Sequence, residues 1–446
     1  MRRGLRYLPA PRRGRRRLGL VGLGLVAAMS LIWQQQATLA TFIDAEYGKA
    51  TFTAATLSAI TPDFTTTAAT ATGSWSEVSA PWATPSYVLT GATTSTGGNA
   101  AEVYAGPAVT FTQTLGSNST TANLKLTDIS AGGTHACGIA RGQLYCWGTS
   151  AGGALGPGTT SPTSTPTLVT TFASKTVTDV SAGTDFTCAV ADGDAYCWGN
   201  GGNGRTGLGG TGSTSTPSAV VGIPSSRTVT RISAGATHAC AVAGGTAYCW
   251  GNNGYGQLGN TSTTSSTIAV AVTTATGILA GRTLTAISAG TSHSCAIADG
   301  LAFCWGVNSY GQLGDGTTTQ HTAPFAVSAA GVLSGRTITA ISSGGAHTCA
   351  VADAGAYCWG LTTNGRVGNG VTTTGSQSSP VAVTGTVAAA ANVTAISAGS
   401  THSCAIAGGA AHCWGGGASG QLGNGTTTTS AGAAVAVTTS GVLSGR

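Results

Sequence analysis

The sequence predicts an all-β fold, a β-propeller of four-stranded blades, and three observations carry that expectation. A ten-residue unit that opens and closes on cysteine recurs six times, at Cys137–Cys146, Cys188–Cys197, Cys240–Cys249, Cys295–Cys304, Cys349–Cys358 and Cys404–Cys413. The copies start 51 to 55 residues apart, use all twelve cysteines, and each runs into Trp-Gly, at Trp147, Trp198, Trp250, Trp305, Trp359 and Trp414. Each period also has room for four short strands, the size of one propeller blade.

Within a repeat, the first strand is a segment such as Arg282-Thr-Leu-Thr-Ala-Ile-Ser-Ala-Gly290. The cysteine unit that follows reads as a hairpin supplying the second and third strands. Its centre carries a turn pair: Arg141-Gly142, Asp192-Gly193, Gly244-Gly245, Asp299-Gly300, Asp353-Ala354 and Gly408-Gly409. Asp-Gly and Gly-Gly suit two-residue turns whose backbone needs positive φ. Asp353-Ala354 fits worst, and a one-residue displacement of that turn onto Gly355 is the alternative. Counting outward from the turn, the cysteines form the fourth facing pair, a non-hydrogen-bonded one, where Cα atoms approach to about 4.5 Å. The spacing therefore predicts a disulfide inside each hairpin. The residue facing each tryptophan is small (Ala136, Thr187, Ala239, Ser294, Thr348 and Ser403), so large meets small across the strand pair and both faces are expected to be packed. A loop such as Gly306-Val-Asn-Ser-Tyr310-Gly-Gln-Leu-Gly314 comes next, then a Thr/Ser-rich stretch, then an apolar fourth strand such as Pro324-Phe-Ala-Val327.

Ser-Ala-Gly-x-x-His, then Ala-x-x-Gly-x-x-Tyr-x-Trp-Gly, then Gly-Gln-Leu-Gly with a later Pro-x-x-Val, resemble the repeats of the regulator of chromosome condensation family. The likeness runs from about Leu126 to the end, and the cysteine pair stands where the general repeat is apolar, as suits a secreted bacterial version. The resemblance implies a propeller of seven blades. Only six cysteine hairpins are present. Val442-Leu-Ser-Gly-Arg446 repeats Val332-Leu-Ser-Gly-Arg336, which leads straight into a further first strand, so a chain one blade short is expected. Otherwise six units close on themselves, with the strand around Leu124–Ser130 completing the last blade.

The domain plan follows: residues 1–40 a signal peptide or membrane anchor, 41–123 a mature amino-terminal region, and 124–446 the propeller repeats. Eight of the nineteen basic residues lie between Arg2 and Arg17, leaving eleven basic against thirteen acidic in the rest of the chain. A nucleic-acid binder is expected to carry a basic face on its folded part, and this chain does not. The apolar run from Leu18 to Trp33 has the length of a signal-peptide core and is short for a membrane span. Thr41-Phe-Ile-Asp44-Ala-Glu46-Tyr47 and Thr51-Phe52-Thr53-Ala54-Ala55-Thr56-Leu57 resemble the signal region of camelysin-like secreted proteins, with Ala55 in place of a glycine. That resemblance puts cleavage near Ala40. A membrane contact, if the segment stays uncleaved, is confined to it. In 58–123, segments at Ser74-Trp75, Pro85-Ser-Tyr87-Val-Leu and Val109-Thr-Phe111 read as strands of a small β-sandwich, or else the region is an extended linker.

Signals for chemistry are sparse. No glutamate follows Glu102, and Asp179, Asp185, Asp194 and Asp315 stand isolated in the sequence, so a carboxylate acid–base pair has no candidate. Neither a nucleophile elbow nor a phosphate loop is present, and no cofactor is expected. His135, His238, His293, His347 and His402 each precede a first cysteine by two residues, with Phe186 in that place in the second repeat. One histidine and two cysteines per hairpin could be read as zinc ligands, but oxidation removes the thiolates, and acceptance of Phe186 favours packing. Tyr255 and Tyr310, in the Tyr-Gly-Gln-Leu-Gly loops, are the candidate partner contacts. The expected function is a secreted or cell-surface, non-catalytic interaction module for a protein or glycan. The resemblance implies exchange-factor and chromatin roles for nuclear members, which suit an exported disulfide protein poorly, and β-lactamase inhibition for a secreted group. A secreted hydrolase or lyase on a propeller scaffold is the remaining alternative.

Overall fold

The computed structural model describes residues 126–438, apart from 159, 274–276, 391 and 428–429, together with the backbone of several strands among the first 111 residues. Met1–Asn123 and Leu124–Arg446 are separate units. In the first, Leu39–Asp44 pairs with Gly48–Thr53. A second sheet joins Arg17–Gly19, Ala68–Ser74, Tyr87–Thr94 and Val103–Ala105, and Val109–Phe111 also pairs with Tyr87–Thr94. Strands thus appear at Tyr87 and Val109, and Ala68–Ser74 reaches Ser74, while the rest of the strand expected from Ser74 onward lies outside the described residues. The apolar run beyond Gly19, and with it the expected export signal, lies outside the described residues.

The second unit is six four-stranded antiparallel sheets. Each is built around one cysteine hairpin: in the third blade, Val229–Ala234, His238–Ala243, Thr246–Gly251 and Ser266–Ala271 lie side by side in chain order. The expectation of seven blades is corrected to six. One hairpin heads each sheet, and six hairpins account for every four-stranded sheet among the described residues. The strand Leu126–Ala131 pairs with His135–Ala140 in the first blade, so it does not complete the last one.

Inside the hairpins the register is the one the spacing demands. Cys240 faces Cys249, Trp250 faces Ala239 and Tyr248 faces Ala241. All six cysteine pairs are bonded, with Cα atoms 4.0–4.1 Å apart. The fifth turn is not displaced onto Gly355: Ala352 pairs with Gly355, and both Asp353 and Ala354 take positive φ, 43° and 62°. Register is set by the buried cysteine pair and not by the turn, so an alanine is held where glycine belongs. Ala354→Gly removes that strain and is expected to add about 1 kcal/mol of stability, read as a rise in the thermal midpoint.

The inner strands pack against one another in succession from Leu126–Ala131 to Val393–Ala398. A serine marks each joint. Ser130 Oγ accepts the Ala182 N–H, Ser181 Oγ that of Ala234, Ser233 Oγ that of Ala289, Ser288 Oγ that of Ser343 and Ser342 Oγ that of Ala398, all at 2.8–2.9 Å. The series stops at the sixth blade. Leu126 and Ile129 are 41% and 60% exposed, whereas Val177 and Val180, their counterparts in the second blade, are buried. The first blade therefore presents an inner face that no blade among the described residues covers.

Candidate partner-binding surface

The joints between blades are built from the tryptophan, the histidine and the loop that follows each hairpin. Gln257, seven residues after Trp250, lies in the loop of the third blade, and its carbonyl accepts both Trp305 Nε1–H (2.9 Å) and Ser294 Oγ–H (2.9 Å) from the fourth. Ser294 Oγ in turn lies 2.8 Å from His238 Nε2. The same set recurs with Gln312, Trp359, Thr348 and His293, and with Ala154, Trp198, Thr187 and His135. Each hydroxyl spends its proton on a carbonyl, so the histidine donates from Nε2, and burial lowers its basicity. His135, His238, His293 and His347 thus link neighbouring blades. They face a hydroxyl and not a set of metal ligands, because both cysteines of each hairpin are bonded to each other.

Phe186 now has an explanation. Its neighbour in the next blade is Ala239, where the histidine blades meet Ser or Thr. Histidine is matched with a hydroxyl and phenylalanine with a methyl group, so the buried Nε2 and the hydroxyl facing it each keep a partner. The sequence shows both residue sets, but the match emerges only when residues about 55 apart are known to touch.

On the loops, Tyr255 and Tyr310 stand 50% and 43% exposed. Their backbones are fixed from beneath. Asn253 is buried and its Nδ2 donates to Asn260 Oδ1 and to the carbonyls of Ser262 and Thr264, while its Oδ1 accepts the Leu258 N–H. Gln257 Oε1 accepts the Tyr255 N–H at 2.8 Å. Asn308 and Gln312 repeat this under Tyr310. Gly256, at φ 78°, lies so close to the next blade that a Cβ there would be 2.6 Å from Thr322 Cα. The loop therefore both seals a joint and carries an exposed ring. Because the two loops occupy equivalent places on adjacent blades, both rings stand on the same face of the propeller. His321 and Phe325, which sequence reasoning passed over, stack at 4.2 Å on the outer strand of the fourth blade.

Three of the aspartates that stand isolated in the sequence, Asp179, Asp185 and Asp315, do not stand isolated in space. Asp185 pairs with Arg205 Nη1 at 2.6 Å and accepts from Asn200 Nδ2 at 2.6 Å. Asp315 accepts from Asn308, Thr317 and His321. Asp179 accepts the Ile232 N–H across a blade joint at 2.8 Å, and burial pushes its carboxyl up to about 6. Apart from Thr317, two residues from Asp315, the partners lie 6 to 53 residues away, beyond what motif spacing reveals. These carboxylates brace loops and joints, and no group of three or more His, Cys, Asp or Glu suited to a metal occurs among the described residues.

Comparison with known proteins agrees with this architecture. The chain is 30% identical over 233 residues to the human E3 ubiquitin-protein ligase HERC2, covering 51% of this chain and 5% of that protein. It is 30% identical over 229 residues to the ultraviolet-B receptor UVR8 of Arabidopsis thaliana, covering 50% of each. The chain thus matches half or less of the length of these relatives. Among solved structures, human WBSCR16 superposes with a TM-score of 0.62 at 20% identity over 72% of this chain and 84% of that one. Yeast RCC1, solved bound to Kap60, gives 0.60 at 20% over 70% and 75%. Residues 94–443 match the RCC1-like domain, and the chain belongs to that family of β-propellers.

Proposed function

We propose that this protein is an exported, non-catalytic interaction module that binds a protein partner through the loop face bearing Tyr255 and Tyr310. The observation that carries the reading is that the only two tyrosines at this loop position occupy adjacent blades, both exposed, each on a backbone held by buried amides. Rigid, half-exposed tyrosines supply contact area at little cost in ordering, which is what recognition surfaces use. Export is supported by the six disulfides and by the basic-then-apolar start that resembles a secretion signal. The acid-poor, base-poor surface of the repeats favours a protein over a nucleic acid.

The test is capture of partners from the native cell envelope by the full chain and by a Tyr255→Ala, Tyr310→Ala double variant. Both side chains point outward, so the melting temperature should hold while capture falls at least about tenfold. Equal capture by the two proteins would place recognition elsewhere on the propeller, and product formation from an envelope fraction would replace the binding reading with an enzymatic one.

A further inference from the structure

The fifth blade carries a cation that the fold buries without a counter-ion. Arg366 lies seven residues after Trp359 and is 7% exposed. Its Nε donates to the Thr363 carbonyl at 2.9 Å and its Nη1 to the Ser400 carbonyl at 3.1 Å. No carboxylate acts on it. Burial alone perturbs it, and it is close enough to lower the basicity of His347. Among the described residues no ion pair includes it.

The second blade shows what such an arginine accepts. Arg205 is the same position, seven residues after Trp198, and its backbone contacts are the same: Nε to the Gly202 carbonyl at 2.9 Å and Nη1 to the Ala236 carbonyl at 3.2 Å. It has one partner more, the Asp185 carboxylate, 2.6 Å from Nη1. Asp185 is the residue just before Phe186. Its place is taken by Thr134, Thr237, Ser292 and Thr401 in four other blades and by Ala346 in the fifth. Ala346 thus offers only a methyl group where a carboxylate stands beside Arg205. That position reaches solvent, since the Asp185 side chain is 25% exposed and Ala346 is only half-buried. Leu361 replaces Asn200, so the amide that donates to Asp185 in the second blade has no counterpart here and the guanidinium is the charged group left to meet a carboxylate.

We propose that Arg366, at the position beside Ala346, is a receptor for a carboxylate presented by another polypeptide, taking the place that Asp185 holds beside Arg205. This deepens the interaction reading by naming a chemical feature the partner must offer. An incoming carboxylate replaces water around an already desolvated guanidinium whose orientation is fixed by two backbone carbonyls, so the ion pair forms at little cost in ordering. A side-chain carboxylate and a chain terminus share this chemistry.

Three probes separate the sources: acetyl-Gly-Asp-Gly-amide carries only a side-chain carboxylate, acetyl-Gly-Gly only a terminal one, and acetyl-Gly-Asn-Gly-amide neither. Titration of the full chain at low ionic strength should show at least one acidic probe binding tenfold or more better than the Asn peptide, with about 150 mM salt weakening it. Ala346→Asp supplies the carboxylate internally, as in the second blade. It should raise the melting temperature and weaken the acidic probe at least tenfold, which a variant that merely misfolds cannot do. Arg366→Gln should also lose the probe. Equal binding of the Asp and Asn peptides, or undiminished binding to Ala346→Asp, overturns the proposal. Envelope capture keeps the two readings apart. Partners retained equally by Ala346→Asp sink the carboxylate receptor and leave the interaction module standing. Probe binding without any captured partner does the reverse.

Discussion

Trp250→Ala is expected to cost about 3–5 kcal/mol, as buried tryptophan truncations do, and to loosen the second and third blades together. Trp250 is fully buried, and its ring lies in one cluster with Cys188, Val190, Cys197, Val229 and Ile232, which come from both blades. A milder change makes the account sharper. Trp250→Phe keeps most of the apolar volume and removes the indole N–H that reaches the Arg205 carbonyl at 3.0 Å. At this joint the facing residue is Ala239, so no hydroxyl also donates to that carbonyl. At the next joint, Trp305→Phe leaves the Gln257 carbonyl still bonded to Ser294 Oγ. An orphaned buried acceptor costs about 1–3 kcal/mol, so Trp250→Phe should be the more damaging of two chemically identical changes. Thermal melts of the two Phe variants decide it. Equal losses would mean that the tryptophans act through volume alone.

This joint also shows how far the sequence could be read. The hairpin was legible because its determinants are local: a turn pair, a nine-residue cysteine offset and a small residue opposite the tryptophan all lie within a dozen positions. The disulfide pairing and the strand register follow from them, while Tyr255 and Tyr310 stood out only through the loop motif that carries them. The number of blades was misjudged at seven because it came from a family likeness, while the count of hairpins already stood at six. The pairing of His238 with Ser294, of Phe186 with Ala239 and of Asp185 with Arg205 was not legible. Small residues opposite tryptophan read as a packing rule, and nothing in one repeat says which of them must carry a hydroxyl for its neighbour. Arg366 was equally silent, since a buried cation lacking its acid is visible only by laying the fifth blade over the second.

The buried histidines lead to the second large effect, a loss of stability in mild acid. His238, His293 and His347 are fully buried, and that burial lowers their basicity to about 3, about 4 and about 3. His135 and His402 are lowered in the same direction by the same cause. In each of the three, Nδ1 has no hydrogen-bond partner, so a proton there would place a charge with neither water nor acceptor around it. Arg366 beside His347 adds to the penalty. The unfolded chain takes up these protons near the ordinary histidine value of 6.5, and the folded one does not until about 3 to 4. Stability from the neutral histidines is therefore complete above about pH 6.5 and drains as the pH falls toward 4, where each contributes a loss of up to about 3 kcal/mol. Asp179 works the other way over part of that window. Its carboxyl, raised to about 6, favours the folded state below its unfolded value of 3.8, and that contribution fades as the pH climbs through 6. One aspartate against three fully buried histidines leaves the net slope toward acid lability. Denaturant melts at pH 7.5, 6, 5 and 4.5 should show stability falling steeply below pH 6. A variant carrying His238→Gln, His293→Gln and His347→Gln keeps an N–H donor for each hydroxyl and removes the titration. Its curve should start lower and lose much less stability across the same range, with His135, His402 and Asp179 still titrating. Parallel curves for the two proteins would show that acid acts elsewhere than at the blade joints.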